Sequence, residues 1–429
     1  MNRAIQNFEI LAKNTFRQDA LTLAEAGYGA INTGVALVRD VRLEGDILHI
    51  GDTEHSLGTR KVFFVGIGKC AIAGAAAIEE ILGDRLIRGI ALDVANEKQH
   101  SLAKIEIFLG THPLPSEANE AATARIVEML EECTEDDLVL MLISGGGSTL
   151  LCLPTAPMTC VDESALFTAL TAGGATIQEL NTVRKHTSRA RGGGLARAAY
   201  PAEVVSLIVS DVPGNDIAFI SSGPTVRDTS TVADAQAVLA RYDIDSSAYV
   251  FTETPKEEKY FARVTNILFL TNQHALLAMQ SEAARRGYTA TIMTDHFAGE
   301  AREVGRAVLD TLHTSPSKTV LLYAGESTVT LTPDHGEGGR DQEMALAVLA
   351  DIHDDELILP FSSDGHDNTD HAGAIADAIT RTHASEKNIS IDDYLARHCS
   401  YDFFTATGDA LVTGYTESNV SDIIIAIKN

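Results

Sequence analysis

The stretch Asp137–Leu151, DLVLMLISGGGSTLL, decides the fold of the first part of this 429-residue chain. Its apolar run, residues 138–143, is too short to cross a membrane and is typical of a strand buried on both faces of a parallel sheet. Three consecutive glycines follow the strand and leave backbone N–H groups open to an anion. Because open sheets bind ligands at the carboxyl ends of their strands, the pattern predicts a phosphate or carboxylate site at Ser144, Gly145, Gly146, Gly147 and Ser148. The alternative is a tight strand-to-helix turn without a ligand.

Strands and helices alternate on both sides of this stretch, which predicts an α/β fold with a mostly parallel, Rossmann-like sheet. The alternation weakens after residue 226, and the charged, proline-containing residues 252–259 are typical of a hinge. A second alternation begins at residue 266. We therefore expect a Rossmann-like domain over 1–240, a linker over 241–262 and a second α/β domain over 263–429. The C-terminal tail, residues 421–427, is predicted to be a strand that could pack back on the first domain.

The composition narrows the class of function. A formal net charge of −27 argues against nucleic acid or an anionic membrane as the main partner, and leaves small-molecule substrates. The five scattered cysteines form no metal-binding pair and suit a reducing compartment. The N-terminus lacks a signal-peptide core. The sequence predicts a soluble cytoplasmic protein.

A loose dinucleotide fingerprint supports one alternative function. Gly66, Gly68 and Ala71 follow an apolar strand, and Asp93 stands at a distance suited to a ribose contact. Taken alone, this pattern favours an NAD(P)-dependent reductase. Lys69 lies within it at the start of a helix, where a cation is unfavourable to the helix dipole unless it serves an anion.

A second triple glycine closes the stretch 181–194, which carries five basic side chains. This concentration of cations in an acidic protein indicates a phosphate or carboxylate site at Arg191, Gly192 and Gly193. A solvated helix face with C-terminal glycines is the alternative. Asp211 and Asp216 follow the next strand, and carboxylates beside a phosphate loop are predicted to hold Mg²⁺.

The second half offers further candidates at the carboxyl ends of its strands. Arg340 follows two glycines at the start of a helix, a position that disfavours a cation unless an anion is shared. Glu326 and Asp364 lie in loops after other strands. The fourteen histidines form no HExxH pair, which gives a zinc site little support.

Nine short motifs, in this order, resemble the glycerate 2-kinase family, whose C-terminal part is called the MOFRL domain. They cover nearly the whole chain: GIGK (66–69), THPLPSEAN (111–119), SGGGSTLLCLP (144–154), NTVRKH (181–186), SDVPG (210–214), SSGPTV (221–226), GESTV (325–329), GGRDQEMALA (338–347) and TGDALVTG (407–414).

The resemblance implies ATP- and Mg²⁺-dependent phosphorylation of D-glycerate at its 2-hydroxyl, with the active site in a cleft between the two domains. It assigns Lys69 and Arg340 to the reacting centre, where positioning and charge neutralisation do most of the catalysis. We expect Glu326 and Asp364 to contact the substrate. Several motifs depart from the family pattern, among them Arg191 and Asn215, and a non-catalytic small-molecule-binding homologue is therefore a further alternative.

Overall fold

The computed structural model of the chain describes residues 3–94 and 101–429. It divides into two compact units. The parallel-sheet unit comprises residues 33–211 and 215–270, and the mixed-sheet unit comprises residues 1–32, 212–214 and 271–429. Each contains both helices and strands, so the predicted α/β fold class is confirmed.

The helices in chain order are α1 Phe8–Leu11, α2 Thr15–Ile31, α3 Thr33–Asp40, α4 Ala71–Leu82, α5 Glu117–Glu131, α6 Gly147–Leu150, α7 Cys160–Ala172, α8 Ile177–Thr187, α9 Gly194–Ala199, α10 Val232–Arg241, α11 Asn272–Arg285, α12 Ala301–His313, α13 Arg340–Val348, α14 Ala378–Glu386, α15 Ile391–Ala396 and α16 Ser400–Thr407.

The strands are β1 Val41–Glu44, β2 Ile47–Ile50, β3 Thr53–Ser56, β4 Lys61–Ile67, β5 Leu86–Val94, β6 Ile105–Gly110, β7 Asp137–Ile143, β8 Glu203–Val209, β9 Val264–Leu270, β10 Thr289–Glu300, β11 Thr319–Thr328, β12 Glu356–Ser362, β13 Gly373–Ala374, β14 Ala376–Asp377, β15 Ala410–Leu411 and β16 Asp422–Lys428.

The parallel-sheet unit is built on six strands in the order β6-β5-β4-β7-β8-β9, all parallel. Every residue of β7 is buried, as its apolar run predicts. The strand order reverses between β4 and β7, whose last residues Ile67 and Ile143 are register partners. This pair is the topological switch point, where open α/β sheets bind their ligands. The loops after β4 and β7 therefore meet at the carboxyl edge. A small antiparallel sheet, β1-β2-β3, completes the unit.

The mixed-sheet unit has β16 near its centre, because β16 runs antiparallel to β11 on one side and to β12 on the other. Strand β10 lies parallel to β11 at one edge, and the short strands β13, β14 and β15 pair beyond β12. The N-terminal helix α2 packs against α11. Their approach is close at Gly27, where a Cβ would lie 3.1 Å from the sulfur of Met279.

The predicted domain boundaries differ from this division in three places. Strand β9 was expected to open the second domain, but it hydrogen-bonds to β8 in the parallel sheet. Residues 1–32 belong to the mixed-sheet unit rather than to the first domain, because α2 contributes its apolar face to α11. The predicted linker, 241–262, lies within the parallel-sheet unit. The tail forms β16, a central strand of the mixed sheet.

Across residues 3–94 and 101–429, no helix combines the length and the apolar composition that crossing a membrane requires.

Candidate functional site

The structure brings Lys69 and the triple glycine together at the switch point. The backbone N–H of Lys69 donates to the carbonyl of Gly145 (3.0 Å), and the N–H of Ser144 donates to the carbonyl of Ile67 (2.8 Å). Gly146 adopts φ +83°, a left-handed conformation that favours glycine. A Cβ there would lie 3.3 Å from Cγ of Lys69, so the lysine side chain lies alongside this glycine. We call residues 144–148 together with Lys69 the glycine cradle.

Ser221 and Ser222, the first two residues of the SSGPTV motif, hold the glycine cradle in place. The Ser221 hydroxyl donates to the carbonyl of Ser144 (2.8 Å), and the hydroxyls of Ser148 and Ser222 lie 2.9 Å apart. Ser222 in turn donates to the side chain of Asn181 (2.6 Å). Ser221 and Ser222 both have positive φ, at 52° and 58°. Two non-glycine residues held in this region indicate backbone strain, which is often found at functional sites.

Gly147→Ala is expected to disrupt the cradle. A Cβ at Gly147 would lie 2.0 Å from Oγ and 2.7 Å from Cβ of Ser221, so one of the two segments must move. We expect about 1–3 kcal/mol of lost stability from this overpacking and a clear loss of enzymatic activity, measured by denaturant unfolding and by turnover.

Two further variants separate the steric effect from other causes. Ser221→Gly suits the positive φ at that position and removes both contacting atoms, so the double variant Gly147→Ala/Ser221→Gly should recover stability relative to Gly147→Ala. Gly29→Ala, on an exposed face of α2 with no atom within 4 Å of the new methyl, should not be destabilised. Equal losses of stability in Gly147→Ala and Gly29→Ala would contradict this steric explanation.

The second triple glycine has a structural role in this fold. The guanidinium of Arg191 is buried and donates two hydrogen bonds to Glu163, at 2.9 and 2.7 Å. The N–H groups of Gly192 and Gly193 donate to the carbonyls of Ser222 and Gly223. These donors are already engaged inside the protein. The geometry therefore favours the structural alternative over the predicted phosphate role for Arg191, Gly192 and Gly193.

Other cations of the same stretch are also neutralised internally. Lys185 donates to Asp228 (3.2 Å), and His186 lies within hydrogen-bond distance of Ser230 and of the carbonyl of Thr252. The side chains of Lys185, His186 and Asp228 are buried. The concentration of basic residues that suggests an anion site is thus largely a set of buried pairs.

The dinucleotide fingerprint is also explained by packing. The carboxylate of Asp93 accepts hydrogen bonds from the N–H of Ile72, at the start of α4, and from the N–H of Val94. A Cβ at Gly68 would lie 2.2 Å from Oγ of Ser144. Gly68 therefore leaves room for the loop that carries Ser144, and the Asp93 carboxylate accepts from one N–H in the first turn of α4 and one at the end of β5. Neither observation favours a nicotinamide dinucleotide.

The two predicted magnesium ligands have different surroundings. Asp211 lies two residues after the end of β8, at the carboxyl edge of the parallel sheet, and is half-buried. Asp216 is exposed, and its carboxylate accepts a hydrogen bond from the N–H of Ala218 (2.9 Å) in a local turn. The geometry keeps Asp211 as a candidate and does not favour Asp216.

In the mixed-sheet unit, Arg340 begins α13 and forms ion pairs with two carboxylates. Its Nη2 lies 3.0 Å from Oε1 of Glu326 and 3.0 Å from Oδ1 of Asp422. Both neighbouring carboxylates raise the pKa of Arg340 against the opposing effect of burial. The predicted residues Arg340 and Glu326 are thus in direct contact. Asp364 is buried in the same unit, where it accepts from the Ser362 hydroxyl (2.9 Å) and from the N–H of His366 (3.0 Å).

Three buried aspartates extend this group, which we call the acid–arginine cluster: Glu326, Arg340, Asp341, Asp367 and Asp422. Asp367 accepts hydrogen bonds from the N–H groups of Asp341 and Gln342 and so caps α13. Among the described residues, neither carboxylate oxygen of Asp341 has a hydrogen-bond partner. A fully buried carboxyl group without partners is costly when ionised.

The pKa values of the buried aspartates follow from this arrangement. Burial raises the pKa of Asp422 to about 7, against the lowering effect of Arg340. Burial, together with Asp422 and Asp367, raises the pKa of Asp341 well above its ordinary value. Burial also raises the pKa of Asp367, although backbone hydrogen bonds oppose the shift. The folded cluster therefore binds protons more tightly than the unfolded chain does.

This arrangement predicts a pH dependence of stability. Because these pKa values are raised on folding, their stabilising contribution is complete below about pH 4 and is lost as pH rises through about 7 and above, by up to about 1.4 kcal/mol per pH unit for each group. Asp341→Asn cannot ionise, so its stability relative to the wild type should increase from pH 5 to pH 8. Denaturant unfolding across this range measures the effect.

Asp310→Asn provides the matched control, since Asp310 is exposed on α12. It should leave the pH slope of the unfolding free energy unchanged. The explanation would be contradicted by parallel pH profiles for the wild type and Asp341→Asn.

A cavity of about 810 Å³ opens beside the cluster and lies wholly within the mixed-sheet unit. Its lining includes Ser327, Gly338, Gly339, Arg340 and Tyr401. This volume is in the range of small-molecule and cofactor sites. Gly339 has no room for a side chain, because a Cβ there would lie 2.0 Å from the carbonyl oxygen of Asp367. The glycines before Arg340 thus let α13 begin directly against the loop that carries Asp367.

Sequence reasoning missed Asp341, Asp422 and the supporting Ser221. Asp341 follows Arg340 at the start of α13, and Asp422 begins the last apolar strand. Nothing local in the sequence shows that these two aspartates are buried together. Ser221 lies in the SSGPTV motif, and its positive φ is visible only in the structure.

Comparisons with known proteins identify related families and relatives. Residues 19–252 match a family described as a domain of unknown function, DUF4147, and residues 319–422 match the MOFRL family. A protein of Pyrococcus horikoshii named "Glycerate 2-kinase" is 34% identical over 96% of this chain and 97% of its own length. The "D-glycerate 2-kinase" of Thermotoga maritima is 34% identical over 88% of this chain and 93% of its own. A protein of Agrobacterium vitis named "Putative hydroxypyruvate reductase" is 40% identical over 84% and 85%.

Two solved structures are similar to this chain over nearly its whole length. A crystal structure of glycerate kinase from Thermotoga maritima superposes with a TM-score of 0.85 at 30% sequence identity, covering 97% of this chain and 100% of that one. A crystal structure of a Pyrococcus horikoshii protein superposes with a TM-score of 0.79 at 33% identity, covering 96% and 98%.

A glycine-rich loop and a lysine at the switch point of a parallel sheet define an α/β protein suited to anionic ligands. Within that class, this chain belongs to the glycerate kinase family with a C-terminal MOFRL part, and it is an enzyme, a kinase.

Proposed function

We propose that this kinase transfers the γ-phosphoryl group of ATP, with Mg²⁺, to the 2-hydroxyl of D-glycerate, giving 2-phosphoglycerate and ADP. The observation that carries the proposal is the similarity, over most of the chain, to relatives named "Glycerate 2-kinase" and "D-glycerate 2-kinase". The cradle geometry supports it, because the anionic groups of both substrates need backbone N–H donors and a nearby cation.

The residues divide into two sets of roles. In the parallel-sheet unit, the glycine cradle, with Lys69, binds phosphate oxygens and neutralises charge on the transferred group. In the mixed-sheet unit, Arg340 contacts the transferred phosphoryl group or the glycerate carboxylate, and Glu326 and Asp364 orient the acceptor hydroxyls. Such positioning and charge neutralisation account for most of the catalysis in phosphoryl transfer.

Asp211 is the protein ligand we assign to Mg²⁺, directly or through water. Mg²⁺ in kinases typically uses one or two carboxylates together with waters and substrate phosphates, so a single protein carboxylate at the sheet edge fits this chemistry. The metal supplies charge neutralisation on the phosphate oxygens. Asp216 and the Arg191–Gly193 segment are not part of this proposal, because their polar groups already serve protein contacts.

The buried positions of all five cysteines, none in a disulfide, agree with a reducing compartment, and we propose that the enzyme acts in the cytoplasm.

Release of ADP from Mg²⁺-ATP in the presence of D-glycerate tests the proposal. We expect release with D-glycerate, and none when Mg²⁺ is chelated. The same preparation should not oxidise NADH or NADPH with hydroxypyruvate, and if it did so without releasing ADP the reductase alternative would replace this proposal. Thermal stabilisation by D-glycerate and ATP without any ADP release would favour the non-catalytic homologue.

A further inference from the structure

Three side chains at one end of the mixed-sheet unit converge on a single point. His313 is the last residue of α12, His353 lies in the turn before β12, and Glu356 is the first residue of β12. One nitrogen of each imidazole and one carboxylate oxygen lie within 4.8 Å of one another. Among the described residues, this is the one group of three or more such side chains with that spacing.

The distances suit tetrahedral coordination. Nδ1 of His313 lies 3.0 Å from Oε1 and 2.9 Å from Oε2 of Glu356, and Nδ1 of His353 lies 3.5 Å from Oε1. Ligand atoms about 2.0–2.1 Å from a tetrahedral zinc ion stand roughly 3.3 Å apart. The two imidazole rings stack with their centroids 4.1 Å apart, which places both histidines beside the same carboxylate.

The side chains of Glu356 and His353 differ in their exposure to solvent. Glu356 is fully buried and is held in place by the N–H of His353 (3.0 Å), whereas the side chain of His353 is 59% exposed. The proton on each Nδ1 can move to Nε2 when Nδ1 binds a metal. The ammonium of Lys428 lies 3.3 Å from Oε1, and Oε2 accepts the N–H of His353, so a bound cation would share each oxygen with one protein donor.

We propose that His313, His353 and Glu356 bind a late first-row divalent cation, with Zn²⁺ as the best match, and that water completes the coordination. Two imidazoles and one carboxylate form a common zinc donor set, while Mg²⁺ prefers oxygen ligands alone. The ion joins the end of α12 to the start of β12. This site is separate from the magnesium used in phosphoryl transfer, and its existence does not depend on the proposed reaction.

Calorimetric titration of Zn²⁺ into full-length protein stripped with EDTA tests the site. We expect one binding event that His353→Ala weakens by at least about 10-fold, a loss no smaller than that typical of an outer-shell partner. His313→Gln, which retains hydrogen-bonding capacity, should weaken it similarly. Because His353 is largely exposed, His353→Ala should fold normally, and circular dichroism verifies this.

His296→Ala is the matched control. His296 is exposed and pairs with Asp295, and within the described part of the chain it belongs to no group of three metal-ligating side chains. His296→Ala should leave the Zn²⁺ affinity unchanged. Mg²⁺ should not compete with Zn²⁺ for the site. The proposal is overturned if the wild type binds no Zn²⁺, or if His353→Ala and His313→Gln bind it as tightly as the wild type.

Discussion

Arg340→Ala is expected to lower kcat/KM of the kinase reaction by on the order of 10³-fold. The guanidinium supplies planar, paired donors that match a phosphoryl group or a carboxylate, and it is positioned by ion pairs to Glu326 and Asp422. In the role proposed for Arg340, its loss removes positive charge where negative charge develops in the transition state. Steady-state kinetics with Mg²⁺-ATP and D-glycerate measures the effect. Arg340→Lys should have an intermediate kcat/KM, because lysine keeps the positive charge but lacks the paired N–H donors of the guanidinium.

The same substitution also leaves the carboxyl group of Asp422 buried without its partner, so stability must be separated from catalysis. Arg340→Ala/Asp422→Asn removes the unpaired charge and should recover much of the lost stability without recovering turnover. Recovery of both would show that Arg340 acts through folding alone.

Lys69→Ala provides an independent measure in the other unit, where we expect a loss of similar order because the lysine lies along the cradle at Gly146. If either Lys69→Ala or Arg340→Ala keeps wild-type turnover, the assigned role of that residue is wrong.

Arg17→Ala is expected to produce the largest loss of stability, about 3–5 kcal/mol, because it breaks a buried ion-pair network from one side. The guanidinium is fully buried and donates to Asp377 at 2.7 and 2.6 Å, to Asp409 at 2.7 Å and to the hydroxyl of Thr380 at 2.8 Å. Without it, two carboxylates remain buried with too few donors. Arg17 thereby attaches α2 to the start of α14 and to the turn before β15, and unfolding in denaturant measures its contribution.

Two controls make this prediction specific. Arg285→Ala removes an arginine of the same unit that is 71% exposed and paired with Glu282, and it should change stability by no more than about 1 kcal/mol. Neutralising the network together, as Arg17→Met/Asp377→Asn/Asp409→Asn, should be less damaging than Arg17→Ala alone. A small effect of Arg17→Ala, equal to that of Arg285→Ala, would mean that the buried charges are compensated in another way.

The fold class was predictable because the buried strands are continuous apolar runs. Strand β7 is the clearest case, whereas its position beside β4 is visible only in the structure. The domain boundaries were less predictable. The apolar pattern of β9 identifies a strand but carries no information about which sheet it joins, and α2 joins the mixed-sheet unit through Arg17 and through the packing of Gly27 on Met279.

The close approach at the glycine cradle was predictable because it depends on backbone conformation. Triple glycines at strand ends indicate close approach, and the structure places Lys69 alongside one of them. The same reasoning predicts an anion site at Arg191. In the structure its guanidinium pairs with Glu163, a partner that only tertiary contacts determine. It also missed the His313, His353 and Glu356 cluster, since its members come from a helix end, a turn and a strand and fit no local spacing motif.

The position of the transferred phosphoryl group tests the central claim most directly. Purified protein is incubated with Mg²⁺-ATP and D-glycerate, and the product is identified by phosphorus and proton NMR while ADP release is followed. We predict 2-phosphoglycerate in amounts equal to the ADP formed. Formation of 3-phosphoglycerate, or no phosphorylated glycerate from folded protein, would contradict the proposed function.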